Sequence, residues 1–187
     1  MKRLLSIIGA ISLLGTSTTS LVACNKTQEY IPEELAKLKE ENKINTANQE
    51  IKDNLEWIAP QEKVFSNLDN NWYYVVWRNS KNSNWRISKF KNDTEISKET
   101  GKRIIIKENN EDKLFILLQT EELVKDKFVK FPKDITVLYK ENNNNFTWKF
   151  SQPSSNIPFK SVYRWNLNTQ EPDLIIDDKG NVKVKGE

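Results

Sequence analysis

The stretch that decides the fold runs from residue 135 to residue 150 and reads ITVLYKENNNNFTWKF. Apolar side chains occupy every second position on both sides of a polar loop that is rich in asparagine. Pairing Tyr139 with Phe146 sets Val137 opposite Trp148, so that one face of the pair is apolar throughout. Alternation with a period of two on both sides of a short loop predicts an antiparallel hairpin that packs on a core.

Strand patterns continue on both sides of this hairpin. We predict two further strand pairs and three later strands: Trp72 to Arg78 with Trp85 to Phe90, Arg103 to Lys107 with Leu114 to Gln119, then Ser161 to Trp165, Leu174 to Ile176 and Val182 to Val184. Glu121 to Phe128 lacks a clear alternation and is predicted to be a short helix or an irregular connection. The sequence therefore predicts a mostly antiparallel sheet.

A helix is predicted ahead of the strands, from Glu33 to about Trp57. This segment is rich in Glu, Lys, Leu and Ala, contains no internal Gly or Pro, and follows Pro32. Its second half has one apolar stripe that can pack on a domain, made of Ile44, Ala47, Ile51, Leu55 and Ile58. The first half has no continuous stripe, so we expect a solvated stalk followed by a docked helix. A coiled coil is less favoured because asparagines and a glutamine would occupy its seam.

The first residues have the layout of an export signal. Lys2 and Arg3 form a short positive region, and Leu4 to Leu14 is a largely apolar stretch before a small polar run. At about 1.5 Å per residue this stretch covers only about half of a bilayer core of about 30 Å. It therefore predicts a cleavable signal peptide and not a permanent membrane span.

The residues that follow are Leu21, Val22, Ala23 and Cys24. They resemble the lipobox of bacterial lipoproteins, which has a branched apolar residue three places before the cysteine and a small residue directly before it. The resemblance implies that Cys24 carries a diacylglyceryl group and that a signal peptidase cuts between Ala23 and Cys24. Two acyl chains anchor a protein stably, so the implied location is the outer face of the cell membrane.

The wider N-terminal sequence also has a resemblance. The opening MKRLLSIIGAISLL, the SLVACN box and an excess of lysine and asparagine over arginine and glycine are similar to surface lipoproteins of wall-less bacteria, the spiroplasma type in particular. We recognise no functional family for the remaining chain. The predicted fold class is α+β, an N-terminal helix followed by a mostly antiparallel β domain that is a curled sheet or a small sandwich. The predicted units are a signal peptide at 1–23, a lipidated tether and helix at 24–62, and the β domain at 63–187.

Composition excludes several kinds of chemistry. The chain has no histidine, so it cannot use a Ser-His-Asp triad, a histidine base or a histidine metal ligand. Its five glycines form no phosphate-binding loop, and its single cysteine cannot form an internal disulfide. The net charge of +3 gives no strong signal for nucleic acid. We therefore predict no cofactor, no metal site and no catalytic residue.

Carboxylates support the alternative function. Adjacent pairs such as Asp177 with Asp178 or Glu121 with Glu122 could in principle serve a hydrolase, but neighbours on a strand point to opposite faces. The segment from Asp177 to Asn181 superficially resembles a calcium loop, yet it lacks the alternating acids and the closing glutamate. We predict a plain hairpin turn there.

Aromatic and basic residues coincide in the middle of the chain, where basic residues outnumber acidic ones from Lys63 to Lys107. The candidate binding patch is made of Trp77, Arg86, Lys91 and Tyr73, with Trp77 opposite Arg86. One interpretation is a stacking platform for a sugar, a peptide or a nucleic-acid strand. The other is that both faces of this hairpin are covered and the aromatic residues belong to the core.

The predicted function follows from the anchor. We expect a membrane-anchored surface lipoprotein that is not an enzyme and that binds an extracellular protein or glycan, or has a structural role at the cell surface. Its expected membrane partner is lipid, attached through Cys24. The alternative is a small lipid-anchored hydrolase that uses carboxylates and acts on glycans.

Overall fold

A computed structural model of the chain describes residues 29–95, 103–108, 113–117, 120–124, 127–131, 133–141, 144–151 and 158–187. The predicted signal peptide and the lipobox up to Cys24 lie outside the described residues. Among the described residues, no helix combines the length and the apolar composition that a membrane crossing requires.

The continuous helix predicted from Glu33 to Trp57 is not present. Two short helices occupy that part of the chain, α1 at Pro32–Glu41 and α2 at Gln49–Asn54. The amide of Asn42 donates to the carbonyl of Leu38 over 2.8 Å where α1 ends, and Asn48 accepts a hydrogen bond from the backbone of Ile51 over 3.1 Å where α2 begins. Asparagine side chains compete with helical hydrogen bonds and favour helix ends, which explains the break.

The predicted docking stripe is buried, although not as one helical face. Four of its five residues are at most 6% exposed, namely Ile44, Ile51, Leu55 and Ile58, whereas Ala47 is exposed. Ile44 lies between the two helices, and Leu55 begins a strand. Helix α1 buries no residue completely, but the ammonium of Lys39 donates to Glu62 over 2.6 Å, and Tyr30 and Gln61 exchange two hydrogen bonds. Polar contacts therefore attach this segment to the domain, and it is not the solvated stalk that the sequence predicted.

The described part of the chain contains twelve strands, and all of their pairings are antiparallel. They are β1 Leu55–Trp57, β2 Trp72–Trp77, β3 Arg86–Lys91, β4 Arg103–Glu108, β5 Lys113–Leu117, β6 Thr120–Val124, β7 Lys127–Phe131, β8 Asp134–Glu141, β9 Asn144–Lys149, β10 Phe159–Trp165, β11 Leu174–Ile176 and β12 Val182–Val184. Two sheets have four strands, in the orders β1-β10-β2-β3 and β4-β5-β8-β9. The hairpins β6–β7 and β11–β12 form two-stranded sheets. The mostly antiparallel β domain is thus confirmed.

Every predicted hairpin forms with its predicted partner strands. In β8–β9, Tyr139 is opposite Phe146 and Val137 is opposite Trp148, as the alternation requires. The prediction for Glu121 to Phe128 was wrong, because this segment forms most of the hairpin β6–β7. Pairing between strands outweighs local propensity here, and no period-two pattern announces it.

Two core clusters lie on opposite faces of the sheet that contains β2. The first core cluster joins that sheet to β5 and β8 and consists of Ile58, Phe65, Tyr73, Val75, Trp77, Leu114, Ile116, Ile135, Val137, Phe150, Phe159 and Val162. The second core cluster joins the other face to the α2 region and to β11–β12, and consists of Ile44, Ile51, Leu55, Tyr74, Val76, Tyr163, Trp165, Leu174 and Val182. Strand β2 is therefore central and covered on both faces.

Candidate functional site

The hairpin β2–β3 has the predicted register but not the predicted surface. Trp77 is opposite Arg86, and the guanidinium of Arg86 lies 5.7 Å from the centre of the Trp77 ring. Both Trp77 and Tyr73 are 0% exposed and belong to the first core cluster. A fully buried ring cannot stack on a ligand, so the assignment of these two residues to a binding patch was wrong.

Burial also explains how the polar atoms of these rings are satisfied. The indole N–H of Trp77 donates to the hydroxyl of Ser88 over 2.9 Å, and the hydroxyl of Tyr73 donates to Asp69 over 2.5 Å. Burial, reinforced by Asp69, raises the pKa of Tyr73 well above its usual range. These partners are what aromatic residues with a polar atom need in a core.

Arg86 lies over the buried Trp77 ring, but Arg86 and Lys91 do not form a joint site. They lie at opposite ends of β3, about 16 Å apart along an extended strand. Arg86 is half-buried, whereas Lys91 is exposed beside Trp72, its partner in the register. The structure thus separates the four residues of the predicted patch into core and edge.

A groove of about 720 Å³ lies elsewhere, next to the second core cluster. Three parts of the chain line it: the connection between α1 and α2 (residues 41–47), the exposed end of β10, and the hairpin β11–β12 from its turn to the chain end. This volume is in the range of sites that bind small molecules or short chain segments. The groove is the strongest candidate for a functional site in the described residues.

Hydrogen bonds fix the walls of the groove. The hydroxyl of Tyr163 donates to the carbonyl of Asn42 over 3.1 Å and attaches the α1–α2 connection to β10. The hydroxyl of Thr46 donates to the carboxylate of Glu187 over 2.8 Å and links that connection to the end of the hairpin. The groove therefore has defined walls and not two independent loops.

The turn of β11–β12 closes the other end. The carboxylate of Asp177 accepts hydrogen bonds from the backbone of Lys179 and from the backbone and side chain of Asn181, each over 2.9 Å. These hydrogen bonds, those of Asn181 foremost, lower the pKa of Asp177. The predicted hairpin turn is confirmed, and this carboxylate holds the turn together.

Gly180 lets the turn pack against the ring of Trp85. Its φ is +78°, and a Cβ at this position would lie 2.7 Å from Cγ of Trp85. Two cations flank the same ring, with Arg78 at 4.4 Å and Lys160 at 5.8 Å from its centre. Trp85 thereby attaches the groove hairpin to the loop that connects β2 and β3.

Lysines supply the available positive charge of the groove. The ammonium of Lys160 donates to the carbonyl of Lys179 and, over 3.0 Å, to the side-chain oxygen of Asn181. Lys183 is exposed at the middle of β12. Neither lysine forms an ion pair with a carboxylate in the described part of the chain. Lys160 is thus held by the turn and lies over the Trp85 ring, whereas the exposed ammonium of Lys183 has no hydrogen-bond or ion-pair partner in the described part of the chain.

A buried carboxyl group with a raised pKa, that of Asp134, lies away from the groove. Asp134 is 3% exposed at the start of β8, and burial raises its pKa to about 6 even though hydrogen bonds from Ser151 and Ile135 and the charge of Lys149 oppose this. It accepts a backbone hydrogen bond from Ser151 over 2.8 Å. No group of three metal-ligating side chains of the kind that holds a metal is found among the described residues.

Sequence reasoning missed the groove and identified only its turn. Tyr163 appears in the sequence as an ordinary strand residue, Lys160 lies just before the predicted strand, and Asn42 to Ala47 were assigned to a helix. The segments that line the groove are more than one hundred residues apart, from 41–47 to 177–187. Only the turn at Asp177 to Asn181 gave a local signal.

The comparisons with known proteins give no match. No protein-family profile, no curated protein and no solved structure is similar to this chain.

Proposed function

We propose that this protein is a lipoprotein anchored in the outer face of the cell membrane, with a β-rich domain that is a non-catalytic binding module. The observation that carries the proposal is the lipobox Leu21-Val22-Ala23-Cys24 directly after a positively charged start and an apolar stretch. Charge order, length and spacing agree in this segment. Cys24 is the residue that lipid would modify.

The described domain supports the binding part of this proposal. Its groove is polar, and hydrogen bonds between separate segments hold its walls in place. A preformed site loses less free energy on binding than one that must be ordered first. Helix α1 follows the tether and buries none of its residues completely, which suits a connection between an anchor and a domain.

The carboxylates of the groove support binding over hydrolysis. Asp177 holds the turn with a lowered pKa, which is the wrong direction for a general acid. Glu187 accepts a hydrogen bond from Thr46. The buried acid with a raised pKa, Asp134, does not line the groove. This arrangement therefore favours the binding module over the carboxylate-dependent hydrolase.

Replacing the lipidated residue tests the anchor. Cys24→Ala in the full chain should abolish incorporation of radiolabelled fatty acid and also leave the signal peptide attached, because the lipid-dependent peptidase cuts only the modified precursor. Labelling and intact mass are measured in the same cells. Ser20→Ala is the matched control, since it leaves the four lipobox residues unchanged and should be labelled and cleaved as usual. Cleavage of Cys24→Ala after Ala23 would contradict the proposal.

A further inference from the structure

The main chain of β12 has one free edge. The backbone amide of Lys185 donates to the backbone carbonyl of Asp173, and the backbone amide of Asp177 donates to the backbone carbonyl of Asn181. These two residue pairs are therefore hydrogen-bonded pairs of the β11–β12 ladder. Hydrogen-bonded and non-hydrogen-bonded pairs alternate in an antiparallel ladder. The backbone groups of Val182 and Val184 therefore point away from β11.

These outward groups have little to pair with. Within the described residues, neither the N–H nor the C=O of Val182, nor the N–H of Val184, has a hydrogen-bond partner, while the C=O of Val184 accepts from Glu187 over 3.4 Å. All three residues of β12 line the groove, and no residue of β11 does. The free edge of β12 thus faces the groove.

Another edge of the fold is protected and β12 is not. Strand β3 ends the sheet β1-β10-β2-β3 and carries Arg86, Lys89 and Lys91, and charged side chains on an edge oppose pairing with a further strand. The single charge within β12 is Lys183, flanked by valines that pack on the second core cluster. This edge is three residues long, about 10 Å, and is bordered by the links at Thr46 and Asn181.

Charge selects among extended segments. Lys183 is exposed at the middle of the edge and forms no ion pair in the described residues, whereas Lys160 is held by the turn. The nearby carboxylate of Asp177 already accepts three hydrogen bonds from the turn. An added strand with acidic side chains would meet the ammonium group of Lys183.

We propose that the free edge of β12 accepts an extended, acidic segment of a protein partner, which adds as a strand inside the groove. Main-chain hydrogen bonds to Val182 and Val184 hold the segment, and Lys183 selects its acidic side chains. The inference rests on the proposed binding function and names its partner as a peptide segment and not a glycan.

The test uses the full chain in detergent micelles and a capped hexapeptide of alternating threonine and glutamate. Binding and amide exchange at Val182 and Val184 are followed by NMR, and exchange at both amides should slow at least tenfold when the peptide is saturating. A hexapeptide of alternating threonine and lysine is the charge control and should bind at least tenfold more weakly. Methylating the main-chain nitrogens of either the threonines or the glutamates removes donors from one strand edge, so at least one of these two peptides should lose tenfold in affinity.

Protein variants provide the second arm. Lys183→Glu should weaken the acidic hexapeptide at least tenfold, whereas Lys52→Glu, an equal charge change on the exposed face of α2, should leave its affinity unchanged. The inference is overturned if the acidic peptide fails to bind at millimolar concentration, or if neither methylated peptide is weakened. Slowed exchange at Val182 with chitohexaose and not with the peptide would also overturn it, while leaving a membrane-anchored binding module in place. Loss of fatty-acid labelling at Cys24 is a separate readout that leaves this result unchanged.

Discussion

The hairpins β2–β3 and β11–β12 both carry basic side chains, but their surfaces differ. In β2–β3, the dense aromatic residues draw both faces of β2 into the two core clusters, and the basic residues remain at its margins. In β11–β12, one valine is buried, the other is partly buried, and a lysine is exposed beside a groove. The hairpin with the stronger sequence signal is the scaffold, and the plainer one is the candidate site.

The difference shows what makes a surface available to a partner. Aromatic side chains gain most free energy from burial, so a dense cluster of them marks a core unless something keeps one face open. A binding edge needs backbone groups without partners and charges without counterions, and neither property is visible as a local sequence pattern. Variants in each hairpin can therefore test the contrast directly.

Truncating the core tryptophan should have the largest effect. Trp77→Ala removes a fully buried ring from the first core cluster and should lower the free energy of unfolding by about 3 to 5 kcal/mol. Urea denaturation measures the loss. Ser88→Ala is an informative companion because it deletes only the partner of the indole N–H and should cost about 1 to 3 kcal/mol. A Trp77→Ala variant with near-normal stability would show that this hairpin is not the scaffold.

Much of the sheet could be predicted because its strands pair with near neighbours in the sequence. The alternation from Ile135 to Phe150 contains both strands of a hairpin and the loop between them, so it specifies the pairing of Tyr139 with Phe146 as well. The same holds for the pairing of Trp77 with Arg86. Local patterns are sufficient where the partner is a few residues away.

Long-range pairing and surface accessibility could not be predicted. Strand β1 has only three residues and pairs with β10, so Leu55 lies opposite Trp165 across more than one hundred residues. The helical spacing that includes Ile51 and Ile58 correctly indicated burial, but the asparagines of that segment end the helices. Whether Trp77 is exposed or buried depends on which elements cover β2, and the whole fold determines that.

The sheet β4-β5-β8-β9, which packs against β2–β3, should make the stability of the protein depend on pH. Asp134 begins β8 in the sheet that covers the β2–β3 side of the core, and burial raises its pKa from 3.8 to about 6. The native state therefore binds this proton more tightly than the unfolded chain does. Its contribution is fully present below about pH 4 and is lost as pH rises through about 6, a change of about 3 kcal/mol.

Comparison with a variant that cannot titrate isolates this effect. Other carboxyl groups act in the opposite direction: although burial opposes it, the hydrogen bond from Lys39 lowers the pKa of Glu56, whose contribution is lost as pH falls. Urea denaturation from pH 3 to pH 7 should show the wild type losing about 3 kcal/mol relative to Asp134→Asn. Parallel stability curves for the two proteins would contradict the raised pKa of Asp134.

The smallest expected loss of stability is in the hairpin β11–β12. There, adding one methyl group at Gly180 tests whether Trp85 holds the turn. Gly180→Ala forces a left-handed conformation on alanine, at about 1 kcal/mol, and places a Cβ within 3.0 Å of Trp85 and Lys160. We expect a loss of about 2 kcal/mol in total, accompanied by a change in the fluorescence of Trp85. Gly186→Ala is the matched control, since Gly186 also has a positive φ of 95° but nothing lies within 4 Å of its added Cβ. The difference between the two variants measures the contacts with Trp85 and with the flexible side chain of Lys160, because backbone strain is common to both. If both lose the same stability, Trp85 does not hold the turn, and the groove would need another explanation for its fixed wall.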